Sequence, residues 1–244
     1  MKEAHAPAAE RALVIGGTGG IGFAVSLRLA AAGAEVCVHG GSSKERLEKT
    51  LAAIRAVGRT ADGFLCRIDR VEHLVEPIRQ RLPFTIVVVA FGPYLQGALT
   101  ETTVRDWVRM SELNLALPGA VISLCAPAMQ KAGYGRFVLF GGPRTDGIEG
   151  FRAIGAYAAA KTGVSSLVRS AARQLSEYGI TVNAVCPGYV ATEYYDRAEL
   201  ARLSRRMPDG QLVTADQVAE VVERLVQPGA AAVNGAIIRI DKGV

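Results

Sequence analysis

The glycine-rich turn "VIGGTGGIG", residues 14–22, constrains this chain more than any other stretch. It joins "RALVIG" (11–16), an apolar run that reads as a buried strand, to a helix. That helix carries Ile21, Val25, Leu29 and Ala32 on one face and ends at Gly33. Gly16, Gly20 and Gly22 stand in the spacing G-x-x-x-G-x-G, with Thr18 and Ile21 between them. Glycines so placed let the backbone turn tightly and approach a pyrophosphate, which the free N–H groups of the helix N-terminus attract. A tight strand-to-helix turn alone would also need them. The order strand, loop, helix, strand is what adds the dinucleotide reading.

The alternation then runs to the end of the chain. "AEVCVHG" reads as a second strand, followed by a helix with Leu47, Leu51, Ile54 and Val57 inward. "ADGFLCRI" is a third strand, after which Val71, Leu74, Val75, Ile78 and Leu82 recur at helical spacing. "FTIVVVAFG" (84–92) is a fourth, followed by helical stretches near 103–111 and 113–132. "FVLFGGPRTDG" (137–147) begins as a fifth strand and leads to a helix over about 155–178. "GITVNAVCPG" and "GAIIRID" complete seven, the last preceded by a helix using Val218, Val221, Val222 and Leu225.

Strands that are apolar throughout and separated by helices predict a parallel sheet covered on both faces. Right-handed crossovers make it a doubly wound, Rossmann-type α/β sheet of seven strands flanked by helices. No linker-like stretch divides the chain, and 244 residues suit one core. The reading is therefore a single domain over 11–244 behind a mobile N-terminal tail, 1–10.

Composition excludes several classes. Cys37, Cys66, Cys125 and Cys186 stand singly, without C-x-x-C spacing, which argues for reduced thiols in a cytoplasmic protein and against a disulfide framework or a metal site. The opening "MKEAHAPAAE" lacks the apolar core of a signal peptide. The uncharged stretch Leu113–Gln130 contains Asn114, Pro118, Ser123 and Pro127, so it reads as a buried helix with a broken start and not as a membrane span. A net charge of +5 fits a solvated basic surface or polyanionic small ligands, and no nucleic-acid partner is expected.

The end of the second strand selects among dinucleotides. An acidic residue there accepts from a ribose 2′-hydroxyl. This chain has Gly40 and Gly41, then Ser42, Ser43 and Lys44. Without a carboxylate to repel a 2′-phosphate, and with hydroxyls and a cation to bind it, the expected cofactor is NADP(H). Ser42 or Ser43 can equally cap the next helix.

"YAAAK" places Tyr157 and Lys161 on one face of the long helix. A free phenol has a pKa of about 10, too high for efficient proton exchange near neutrality. A fixed ammonium nearby stabilises phenolate and would bring that value down, making the tyrosine a general acid.

With these residues in view, the chain resembles a classical short-chain dehydrogenase/reductase, and most of all the 3-oxoacyl-(acyl carrier protein) reductases. "GGTGGIG", "NLALPG", "YAAAK", "GITVNAVCPGYVAT" and "GAIIRIDKG" carry the resemblance over about 11–243. It implies an NADPH-dependent ketoreductase acting on a ketone or a 3-oxoacyl thioester. Tyr157 would protonate the carbonyl, Lys161 would hold the nicotinamide ribose, and Asn114 would anchor a water in a relay to Lys161. Ala90, Phe91 and Gly92, after the fourth strand, would border the cofactor, as would Pro187, Gly188, Val190 and Thr192. Asp69 or Ile68 would meet the adenine. Helices 103–132 and 155–178 would pair copies into a homodimer or homotetramer.

The departures are equally specific. The family's "NNAG" is Val89–Gly92 here, its threonine before the glycine loop is Ile15, and its final "DGG" is Asp241, Lys242, Gly243. The serine that polarises the substrate carbonyl falls on Gly142, counted from the strand, and Thr145 is the expected substitute donor. Where carrier-protein reductases place interface arginines stand Gly133 and Tyr178, which weakens the case for an acyl carrier protein. Arg197, Arg202, Arg205 and Arg206, in the expected substrate lid, offer another route to it. A rival reading follows from the same losses: a cofactor-binding partner subunit, weak or inactive alone, that supports a catalytic homologue.

Overall fold

The computed structural model describes residues 10–244. Glu10 itself is held: its carbonyl accepts from Glu35 N, and its carboxylate accepts from the Tyr134 hydroxyl at 2.6 Å. The expected tail therefore ends before Glu10, and residues 1–9 lie outside the described part.

Seven parallel strands form the sheet: β1 (Arg11–Ile15), β2 (Glu35–Gly40), β3 (Ala61–Leu65), β4 (Ile86–Val89), β5 (Gly135–Phe140), β6 (Ile180–Pro187) and β9 (Ile237–Ile240). Their order is β3-β2-β1-β4-β5-β6-β9, so the chain reverses direction across the sheet between β1 and β4. Period-two alternation builds two cores. Leu13, Ile15, Val87, Val89, Phe137 and Leu139 face one way. Ala12, Val14, Ile86, Val88, Val138 and Phe140 face the other. Both faces are dry because both carry helices, which is why the strands read as unbroken apolar runs.

On the second face lie α1 (Gly20–Ala31), α2 (Lys44–Ala56) and α8 (Ala215–Val226). On the first lie α3 (Val75–Arg79), α5 (Leu117–Ala132) and α6 (Gly155–Leu175), with α4 (Val104–Ser111) packed on α6 through Met110. The two helical stretches expected before β5 are one continuous run, α4 and α5 joined by a π turn over Glu112–Ala116. The run is long and apolar enough to cross a membrane by composition, but half of its apolar window is buried inside the fold, as in a core helix. Helix α6 ends at Leu175, and a 3₁₀ turn covers Ser176–Tyr178. Val57 and Ala32, expected to face inward, are exposed, because both helices stop one residue before them.

Three elements were not legible. A small parallel pair, β7 (Val190–Ala191) with β8 (Val213–Thr214), closes off an excursion that contains α7 (Arg197–Ser204). Strands of two residues carry too little pattern to be read.

Candidate active site

The loop between β1 and α1 is a cradle shaped by what its glycines lack. Gly16 has φ +79°, and a Cβ there would stand 2.5 Å from Ala90 O. A Cβ on Gly22 would overlap Gly16 O. The loop thus packs against β4's end on one side and its own helix on the other. Thr18 lies over Gly40, whose Cβ would meet Thr18 Cγ2 at 2.8 Å. Thr192 Cγ2 would be 3.4 Å from a Cβ on Gly20. The expected loop, Gly40 and Thr192 are therefore neighbours, and partly buried Ile21 seats α1 on the second core.

His39 fixes this loop to the sheet, and the sequence reading missed it. Its ring is 1 % exposed and packs on Phe64 at 5.2 Å between centroids. Gly16 N–H donates to Nδ1 at 3.1 Å, so Nε2 carries the proton and donates to Cys66 O at 2.8 Å. Burial lowers its pKa to about 4, so the ring is neutral across the physiological range.

At the rim, Ser43 caps α2 by accepting from Arg46 N at 3.2 Å, so the capping role is its role here. Ser42 and Lys44 are exposed. The cation nearest the loop is Arg46, also missed, whose Nη1 would be 3.4 Å from a Cβ on Gly19. It is reached through the first turn of α2, a direction that strand spacing does not reveal. Asp69 turns to Arg67, 3.1 Å away, and Ile68 is buried in the first core.

The proton-handling residues converge at the ends of β4 and β5. The π turn sets Asn114, 0 % exposed, behind Gly92, where Nδ2 donates to Pro93 O at 3.0 Å. Its Oδ1 is buried and has no partner among the described residues. A side chain on Gly92 would overlap that oxygen and come within 3.0 Å of Lys161 Nζ, so Asn114 and Lys161 crowd the same point. Lys161 donates to Phe140 O at 2.9 Å, and burial lowers its pKa to about 8.

Tyr157 differs from expectation. Burial pushes its phenol above the ordinary tyrosine value, and Tyr94, Cys186 and Tyr195 push the same way. The lysine gives no lowering because its ammonium is itself desolvated and turned to the Phe140 carbonyl. Tyr94 stands edge-on to the Tyr157 ring at 5.1 Å.

Gly142 does face this tyrosine: a Cβ there would lie 2.8 Å from the Tyr157 hydroxyl oxygen. Thr145 does not. It is 0 % exposed, accepts from Gly142 N at 2.7 Å and donates to Gly142 O at 3.1 Å. Its single O–H is spent on the backbone, so the expected substitute donor is a brace for the turn. On the far side, Pro187 ends β6, a Cβ on Gly188 would press on Asp241 Cβ at 2.6 Å, and Val190 is buried in the second core. No cluster of metal-ligating side chains occurs among the described residues.

Comparison with known proteins places this geometry. A family model described as enoyl-(acyl carrier protein) reductase matches residues 16–244. The 3-oxoacyl-(acyl-carrier-protein) reductase FabG of Pseudomonas aeruginosa is 31 % identical over 240 residues, covering 96 % of each chain. The chain belongs to the short-chain dehydrogenase/reductase family. It is an oxidoreductase of that family. The 3-oxoacyl-(acyl-carrier-protein) reductase MabA of Mycobacterium tuberculosis is 32 % identical, over 95 % of this chain and 91 % of that one. Two solved members of the family share the fold. An actinorhodin polyketide ketoreductase variant with NADPH superposes at a TM-score of 0.84 with 32 % identity, over 96 % of this chain and 97 % of its own. A short-chain dehydrogenase/reductase from Serratia marcescens does so at 0.89 with 28 % identity, over the same shares.

Proposed function

We propose that the protein is an NADPH-dependent ketoreductase that reduces a ketone or a 3-oxoacyl thioester. One observation carries this reading. Asn114, Tyr157 and Lys161 converge at the ends of β4 and β5, on the same edge of the sheet as a glycine loop that leads into the N-terminus of α1. When bound, the nicotinamide supplies the hydride. The rest of the step belongs to the chain.

Tyr157 gives its proton to the carbonyl oxygen, and burial keeps the phenol protonated until the substrate and cofactor are in place. Lys161, charged below about pH 8, would hold the nicotinamide ribose and hand on the replacement proton. The free acceptor on Asn114 orients a water between bulk and Lys161, so the proton is replaced. Gly16, Gly20 and Gly22 admit the pyrophosphate, and Arg46 with Ser42 and Lys44 favours a 2′-phosphate. The rim of β2 offers no carboxylate, since Gly40 and Gly41 occupy it. Four cysteines without a disulfide support a reducing, cytoplasmic setting. Names of relatives that include acyl carrier protein keep such a partner in play beside small ketones.

Nicotinamide fluorescence tests the cofactor: NADPH is expected to bind at least about tenfold more tightly than NADH. Equal affinities would overturn the preference. Stopped-flow NADPH oxidation across a panel of ketones and 3-oxoacyl thioesters tests the reaction. Tyr157→Phe should abolish turnover while leaving NADPH affinity unchanged.

A second reading has its own observation. With Gly142 opposite Tyr157 and the Thr145 hydroxyl spent, neither position offers a second donor beside the Tyr157 hydroxyl. Such a donor is typically worth about 3 kcal/mol in the transition state. A partner subunit that binds NADPH and does not turn over any ketone of the panel would fit this reading.

A further inference from the structure

Helix α1 has no cap of its own. Its N-cap is Gly19, without a side chain to accept, and no acidic residue lies in its first turn. The missing anion comes from the far end of the chain. Gly20 N–H donates to both carboxylate oxygens of Glu193, at 3.0 and 3.2 Å. Glu193 in turn stands 4.0 Å from Arg46 Nη1. Next to it, Tyr194 lies flat on the loop: a Cβ on Gly19 would overlap its hydroxyl. Arg46 also sits 5.7 Å over the Tyr194 ring and 3.5 Å from its oxygen. Carboxylate, phenol and guanidinium thus close over the same N–H groups that the cradle presents to a pyrophosphate.

The segment that does this is short and tied at both ends. β7 stops at Ala191, and Asp196 begins α7 with a reciprocal capping box to Glu199. Only Thr192–Tyr195 lies between them. Glu193 and Arg46 are half exposed, at 48 % and 50 %, so nothing in the core fixes the closed position.

We propose that Glu193 is an internal competitor for the pyrophosphate position and sets the affinity for the cofactor. The inference rests on the NADPH reading above. One helix N-terminus accommodates one anion at contact distance, since two carboxylate or phosphate groups there repel. The nucleotide enters as Glu193 withdraws, and Arg46, released from the carboxylate, turns to the phosphates. Observed affinity is the intrinsic affinity scaled by the fraction of molecules with Glu193 withdrawn.

Glu193→Gln keeps the shape and removes the charge. Titration with NADPH, followed by nicotinamide fluorescence and by calorimetry, is expected to show binding tightened about fivefold. Without nucleotide, the same variant should melt at a slightly lower temperature than the parent, because the N-terminus of α1 loses its negative charge while keeping an acceptor. The increment that saturating NADPH adds should be larger in the variant. Inorganic pyrophosphate, titrated alone, should follow the same order. If parent and variant bind NADPH equally, or the variant binds more weakly, the competitor role is wrong and the NADPH reading stands. If neither binds NADPH, the cofactor reading fails and this inference fails with it.

Discussion

A glycine faces the hydroxyl of Tyr157 because the ring fills the space a side chain at position 142 would need. A Cβ would lie 2.8 Å from the oxygen and 2.9 Å from Cε1. Gly142→Ser is therefore expected to displace Tyr157 and lower turnover, not to broaden it; a gain on plain ketones at unchanged NADPH affinity would refute the steric account. Thr145→Val removes the acceptor that Gly142 N–H uses in a buried turn. An orphaned buried donor costs about 1–3 kcal/mol, so the variant should melt several degrees lower with little change in NADPH affinity. A loss of roughly a hundredfold in turnover at an unchanged melting temperature would instead return Thr145 to the substrate. Counting along the strand located Gly142, because strand positions are periodic. It misplaced Thr145, because a turn three residues wide lets a hydroxyl fold back on its own backbone.

At the scale of elements, the β1–α1 loop depends on β2 through His39. A neutral imidazole accepts from Gly16 N–H and donates to Cys66 O, and a protonated ring could keep only the second bond. The folded pKa, about 4, lies below the ordinary 6.5, so the unfolded chain binds more protons between these values. Stability contributed by His39 is complete above about pH 6.5 and is lost as pH falls toward 4. The span corresponds to about 3 kcal/mol. Urea melts between pH 7 and 4 should show that decline, and His39→Gln should flatten it; an equal decline in the variant would assign it to other groups. The π turn works on the other helix layer in a comparable way. An inserted turn rotates Asn114 toward Gly92 and away from the stripe that α4 and α5 bury. Asn114 and Pro118 in an otherwise apolar stretch predicted a broken start at this place, and the π turn is what stands there.

For the whole molecule, several exposed apolar side chains among the described residues group on one helix. On α4, Val104 is 81 % exposed, Trp107 38 % and Val108 57 %. Exposed apolar side chains grouped on one helix mark an association surface, and the resemblance predicted pairing of copies through this run and α6. Light scattering at micromolar concentration should give at least twice the chain mass of 25.7 kDa; Val104→Glu with Val108→Glu should shift it toward one chain. A monomer in the parent protein would end the idea. The sequence by itself determined the seven-strand parallel sheet and the glycine loop, and it set Tyr157 and Lys161 one turn apart on α6. Each is written in local periodicity or in a spacing within one element, and burial on both faces leaves no second solution. Only the tertiary structure decided that Glu193 and Tyr194 close over the loop and that Arg46 is its cation. It alone assigned the Tyr157 proton to burial and spent the Thr145 hydroxyl at home. Those contacts join residues far apart in the chain or in irregular turns, where position depends on how whole elements dock and no repeat records it.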